Sequence, residues 1–143
     1  MKQNNEEFDR FLCEYRSMPG QTVEYKTGVR DMLRRLKEGY FVGLVCDQEP
    51  GDPGLLSDFF GEQTLTATGP AHFSMLCKLP VMTALIHQTG PFRFEIIIGD
   101  PITPEEGLSK KEAIQNITDK INERLEAWIR EYPEEWFWLH NRW

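Results

Sequence analysis

The sequence predicts an α/β fold, a mixed and mostly parallel sheet covered by helices. Three observations carry that prediction. Residues 41 to 48, Phe-Val-Gly-Leu-Val-Cys-Asp-Gln, run apolar or small for six positions into an acid and an amide, the pattern of a strand buried on both faces. A helical stripe ends just before this run, as in a strand-helix-strand unit with its right-handed crossover. Near the carboxyl end, Ile114, Ile117, Ile121, Leu125, Trp128 and Tyr132 form one stripe of about five turns, long enough to cover a sheet.

The totals bound the reading. A chain of 143 residues that is 40% hydrophobic suffices for one domain with a core, and residues 1 to 143 read as a single α/β domain. A formal charge of -7 argues against a general nucleic-acid binder, which needs clustered positive surface. The basic group Arg30, Arg34, Arg35 and Lys37 reads as a solvated helix face, with contact to an anionic surface as the alternative. Cys13, Cys46 and Cys77 are odd in number and lack the close pairing of a zinc site, so inert thiols in a reducing compartment fit best. No stretch reaches the ~20 apolar residues of a transmembrane helix, and residues 1 to 7 have no apolar signal core. The chain as given is expected to be soluble.

Taken in order, Asn5 is a plausible cap for a helix with Phe8, Phe11, Leu12 and Tyr15 on one face, ending near Met18-Pro19-Gly20. Residues 21 to 25 alternate in polarity as a short strand does. Thr27 can cap a second helix with the stripe Val29, Met32, Leu33 and Leu36, and Gly39 fits just past its end. The strands at 21 to 25, 41 to 47 and 80 to 87 are expected to be parallel. Glu49-Pro50-Gly51-Asp52-Pro53-Gly54 is a turn-rich loop. Leu55, Leu56, Phe59 and Phe60 show no clear period and read as a loop tucked onto the core or as a lipid-facing patch.

Thr64, Thr66 and Thr68 alternate into Gly69-Pro70, which starts a helix running to about Lys78. Residues 80 to 87 and 92 to 98 read as an antiparallel hairpin at one side of the sheet, with Phe94, Ile96 and Ile98 on one face. Thr103 with Glu106 and Ser109 with Glu112 both match the capping box, and the second introduces the long helix. Pro133 stops that helix. The tail to Trp143 carries three of the four tryptophans and is expected to pack, because each exposed indole would forgo burial of about 2 kcal/mol.

The residue chemistry by itself goes no further than an acid and an amide at the working edge of the sheet. His72, His87 and His140 are general-base candidates, yet no Gly-x-Ser-x-Gly elbow, Cys/His pairing or P-loop accompanies them. Asp47, Glu49, Asp52 and Asp58 could gather a hard cation, but their spacing fits no loop pattern and reads as a solvated acidic loop.

Several blocks resemble the lipid A late acyltransferases, the lauroyl and myristoyl transferases of the lysophospholipid-acyltransferase-like superfamily. They are Gly39 to Gln48, Phe59-Phe60-Gly61, Thr68-Gly69-Pro70-Ala71, Pro80-Val81 and the ending Tyr132-Pro133-Glu134-Glu135-Trp136-Phe137-Trp138-Leu139-His140-Asn141-Arg142-Trp143. Residues 4 to 20, with Arg16 before Gly20, are similar to that family's Asn-rich helix. The resemblance implies the carboxyl-terminal half of a glycerolipid-acyltransferase-like fold. It also implies transfer of an acyl chain from acyl carrier protein or coenzyme A to a hydroxyl of a lipid A precursor, at the cytoplasmic face of the bacterial inner membrane, with no further cofactor and no metal. Arg16 and Asp47 match polar site positions of the family, and Gln48 stands beside them as a third substrate-binding candidate.

The family's His-x4-Asp/Glu motif is absent from these 143 residues. No catalytic residue is therefore expected in this chain, the general base being expected upstream, and the chain alone is expected to be inactive and prone to self-association. Arg16 and Asp47 are expected to meet at the carboxyl edge of the sheet. A non-catalytic lipid- or protein-binding domain is the competing class, with a metal-dependent phosphohydrolase built on Asp47 behind it.

Overall fold

A computed structural model describes residues 5–23, 28–51 and 54–143, and it divides into two compact units, Met1–Val42 and Gly43–Trp143. The class is mixed α/β, with four α-helices and two small antiparallel sheets among the described residues.

In the first unit, α1 spans Glu6–Ser17. Asn5 Oδ1 accepts from Phe8 N at 3.0 Å, and Glu6, Glu7 and Asp9 put negative charge at the helix's positive end. Helix α2 spans Val29–Lys37 and closes on Gly39 at φ 87°, a left-handed position open to glycine. The basic residues of α2 are a solvated, paired face: Arg34 reaches Asp31 and Glu38 at 3.0 Å each, and Arg35 lies over the Tyr40 ring. The hydrogen bonds it donates to Asp31 and Glu38 hold the Arg34 guanidinium above its ordinary pKa. Residues 21–23 form no strand, and the rest of that expected strand and Thr27 lie outside the described residues.

The expected central strand at 41–47 is not a strand. Val42, Leu44 and Cys46 are half-buried and alternate with exposed Phe41, Gly43 and Val45. That is a strand's periodicity without a ladder. Each strand among the described residues pairs only with its own hairpin partner, and none pairs with this run.

In the second unit, β1 (Leu55–Phe59) and β2 (Glu62–Thr66) form an antiparallel hairpin, with Leu55 opposite Thr66 and Phe59 opposite Glu62. Residues 55 to 60 are thus a strand and its turn, not a loop or a free patch. The two turn residues, Phe60 and Gly61, have φ 58° and 85°, the mirror-image turn whose twist suits a hairpin. Phe60 is held in this unusual conformation by its amide donating to Glu126 Oε1 at 2.8 Å and by the Arg130 guanidinium 4.6 Å from its ring.

Helix α3 spans Gly69–Cys77 with Pro70 in its first turn. The second hairpin joins β3 (Ala84–Gly90) to β4 (Arg93–Ile98) in antiparallel register, with a bulge between Gln88 and Gly90. The expected strand from residue 80 begins only at Ala84; Val81 makes a single bridge to Ile102. The sheet is not mostly parallel, because both pairings are local hairpins.

Helix α4 spans Lys110–Glu131 and organises the unit. Ser109 and Glu112 form the complete capping box, and the bonds from Ser109 hold the Glu112 carboxyl below its ordinary pKa. The other box, at Thr103, starts no helix: Glu105 instead takes a bond from Asn116 at 3.0 Å and pairs with Lys120 at 3.1 Å, tying its loop to α4. Leu125, Trp128 and Ile129 pack with Phe59 and Trp136 in one cluster, and Ile117 packs with Ala71 and Ile102 in another. A single 3₁₀ turn, Pro133–Glu135, stops α4 and delivers the tail. Trp136 is buried, whereas Trp138 and Trp143 keep about half their surface.

Candidate functional site

The tail folds back onto the loop that carries Asp47. Tyr132, Trp136 and Trp143 are spaced so that rings meet the same core: Trp136 and Trp143 lie 6.0 Å and 5.7 Å from the Phe59 ring, and Trp143 Nε1 donates to Phe59 O at 3.3 Å. Between these anchors His140 Nε2 accepts from Glu49 N at 3.1 Å. Glu49 in turn accepts from Gly51 N at 3.0 Å. The loop after Asp47 is therefore held at its backbone from both sides.

Arg142 is the most deeply buried charged side chain of the unit, 1% exposed. Its Nη1 donates to Leu65 O at 3.0 Å, its Nη2 to Thr66 Oγ1 at 3.2 Å and Asn122 Oδ1 at 3.4 Å, and its carbon lies 4.8 Å from the Phe59 ring centre. All these acceptors are neutral. Burial pulls the guanidinium below arginine's ordinary pKa, and the charges of Asp47 and Glu49 oppose that pull. Arg142 Nε and Asp47 Oδ1 are both buried without a hydrogen-bond partner. A buried cation and a buried carboxylate oxygen of this unit thus each keep hydrogen-bonding capacity unused.

Beneath Arg142 lies a polar seam between the first hairpin and α4. Asn122 Nδ2 donates to Ser57 Oγ, Asp58 O and Thr66 Oγ1 at 2.9, 3.0 and 3.2 Å. Ser57 Oγ donates to Asp119 Oδ1 at 2.6 Å, and Gln115 Nε2 reaches Asp119 Oδ1 at 2.8 Å. These bonds let the hairpin turn Ser57 and Thr66 inward.

The expected site residues fall in different units. Asp47 and Gln48 belong to the second, Asp47 half-buried and Gln48 exposed; Arg16 belongs to the first, exposed in the last turn of α1. The three histidines are engaged: His72 Nδ1 lies 3.0 Å from Thr68 O, His140 holds Glu49, and His87 stacks on Tyr132 with its Nδ1 3.1 Å from Glu135 Oε1. That last contact has ion-pair distance but not hydrogen-bond alignment, since Nδ1 finds no bonded partner. Asp58 accepts from Gly61 N at 3.0 Å, Asp52 lies outside the described residues, and among those described no three or more His, Cys, Asp or Glu gather as a metal site. His140 stood in the sequence only as a base candidate, and Arg142 only within the tail's resemblance. Asn122 gave no signal beyond being an amide four residues after Thr118 on the buried side of a helix.

A profile of the bacterial lipid A biosynthesis acyltransferases matches residues 1–143, the full length of the chain. The chain belongs to that family. Comparison with individual curated proteins found no match. Among the described residues no helix is long and apolar enough to cross a membrane.

Proposed function

We propose that the chain is the substrate-side part of an acyltransferase moving a fatty acyl group from acyl carrier protein, or from coenzyme A, to a hydroxyl of a lipid A precursor. The enzyme works at the cytoplasmic face of the bacterial inner membrane. The family match over the whole chain carries this reading. The hydroxyl oxygen bonds to the acyl carbonyl carbon, the carbon–sulfur bond of the thioester breaks, and the hydroxyl proton passes through a general base to the departing thiol.

By resemblance to the family, that base is the histidine of a His-x4-Asp/Glu motif, a pattern that these 143 residues do not carry. Asp47, Gln48 and Arg16 bind and orient the substrates. Arg16 offers a forked cation to phosphate, Asp47 a carboxylate and Gln48 an amide to the polar groups of the substrates.

The test is transfer of labelled acyl from acyl carrier protein to a lipid A precursor. The whole enzyme carrying Asp47→Asn is expected to lose about 10²-fold in turnover, as misplaced substrates do, and Arg16→Ala to fall with it. The 143-residue chain alone is expected to form no ester. Ester formed by the chain alone at an ordinary enzymatic rate, roughly 1–10³ per second, or full turnover in Asp47→Asn, overturns the reading.

A further inference from the structure

The geometry points to His140 as a positioning residue that sets the Asp47 loop for substrate. This rests on the substrate-binding reading of Asp47 above and deepens it.

Three observations converge. His140 Nε2 takes the Glu49 amide proton, the backbone group two residues beyond Asp47. An imidazole can accept at Nε2 only when neutral with its proton on Nδ1, so the contact fixes one tautomer and one ring orientation. Arg142 is buried against neutral acceptors, and Asp47 and Glu49 are the two negative charges that act on it. Asp47 Oδ1 is buried and makes no hydrogen bond. An orphaned carboxylate oxygen costs about 1–3 kcal/mol or more; here the loop that carries it is held by the backbone grip of His140, and its lone pair is unused until a donor reaches it. The donor of matching chemistry is a substrate hydroxyl or a cationic side chain beside it. The aromatic anchors on Phe59 fix where His140 and Arg142 sit. A tail that served packing alone would need Trp136 and Trp143 and not the imidazole acceptor between them.

The experiment is a double-mutant cycle in the whole enzyme, with amide exchange on this chain as its physical control. His140→Phe keeps the ring and removes the acceptor; His140→Gln restores an acceptor oxygen. His140→Phe is expected to speed exchange of the Glu49 amide and to lower turnover by about 10-fold to 10²-fold, with His140→Gln recovering most of both. In an Asp47→Asn background His140→Phe is expected to cost no more than about 2-fold further, since its effect runs through Asp47.

Losses that multiply with Asp47→Asn, or full turnover in a folded His140→Phe enzyme whose Glu49 amide exchanges fast, overturn the inference. Full turnover in Asp47→Asn itself instead overturns the substrate-binding reading. The two failures are therefore distinguishable.

Discussion

The two hairpins share a topology and have opposite insides. In the first, Ser57, Thr64 and Thr66 are buried and Leu56 faces outward. In the second, Leu85 and Ile97 pack on the α4 cluster while Ile86, Phe94, Ile96 and Ile98 are 57–64% exposed. Hydrophobicity alone gives the first no clear inside, with Phe59 on one face and Leu56 on the other, and would sink both faces of the second. What decides the first is its partner: α4 presents Asn122, Asp119 and Gln115, and the tail adds Arg142, so hydroxyls facing inward are all but one satisfied. Thr64 Oγ1 is the exception, buried without a partner. A strand's inner face is chosen by what covers it.

Breaking the shared support should have the largest effect. Leu125→Ala removes the side chain that packs beside Trp128, Ile129 and Phe59, and urea unfolding should show a loss of about 2–5 kcal/mol. A change under about 0.5 kcal/mol would mean that α4 is not the common floor of the two hairpins.

The polar seam of the first hairpin should come next. Asn122→Ala strips partners from Ser57, Thr66 and Arg142 at once and is expected to destabilise by about 1–3 kcal/mol. An unchanged midpoint would show that water replaces the amide and that the seam does not orient the hairpin.

The smallest effect belongs to the outer face of the second hairpin. Ile96→Thr keeps a β-branched residue on an exposed strand and should shift stability by less than about 0.5 kcal/mol. A loss of more than about 1 kcal/mol would mean that this face is covered in the folded protein and that the contrast between the hairpins is false.

The helices were legible because their information is local. Asn5, Gly39, Thr68-Pro70 and the Ser109–Glu112 box each mark an end through bonds made within a few residues, and α4's stripe matches its buried face at Ile117, Leu125 and Trp128. The sheets were not, since pairing is a property of two segments. Residues 41–46 have a strand's alternation and no neighbour, while Leu55 to Phe60 looked aperiodic because its inward residues include a serine. Phe60-Gly61 was the available turn signal, a residue before glycine between two short strands. In the site, Asp47 was legible as the polar end of an apolar run. The grip of His140 and the burial of Arg142 were not, because each depends on contacts more than 75 residues away in the chain, 91 for His140 to Glu49 and 77 for Arg142 to Leu65.

The hydroxyl-lined inner face also bears on the order in which the chain folds. A hairpin with a two-residue turn closes within about 1–10 μs, long before α4, some fifty residues further on, can be docked. Alone it is only marginally stable. While it waits, the face that α4 will cover shows water the hydroxyls of Ser57, Thr64 and Thr66 beside Leu55 and Phe59, so that face remains largely hydrated until it docks. The register is then locked late, when Asn122 arrives and reads the hydroxyls as a set.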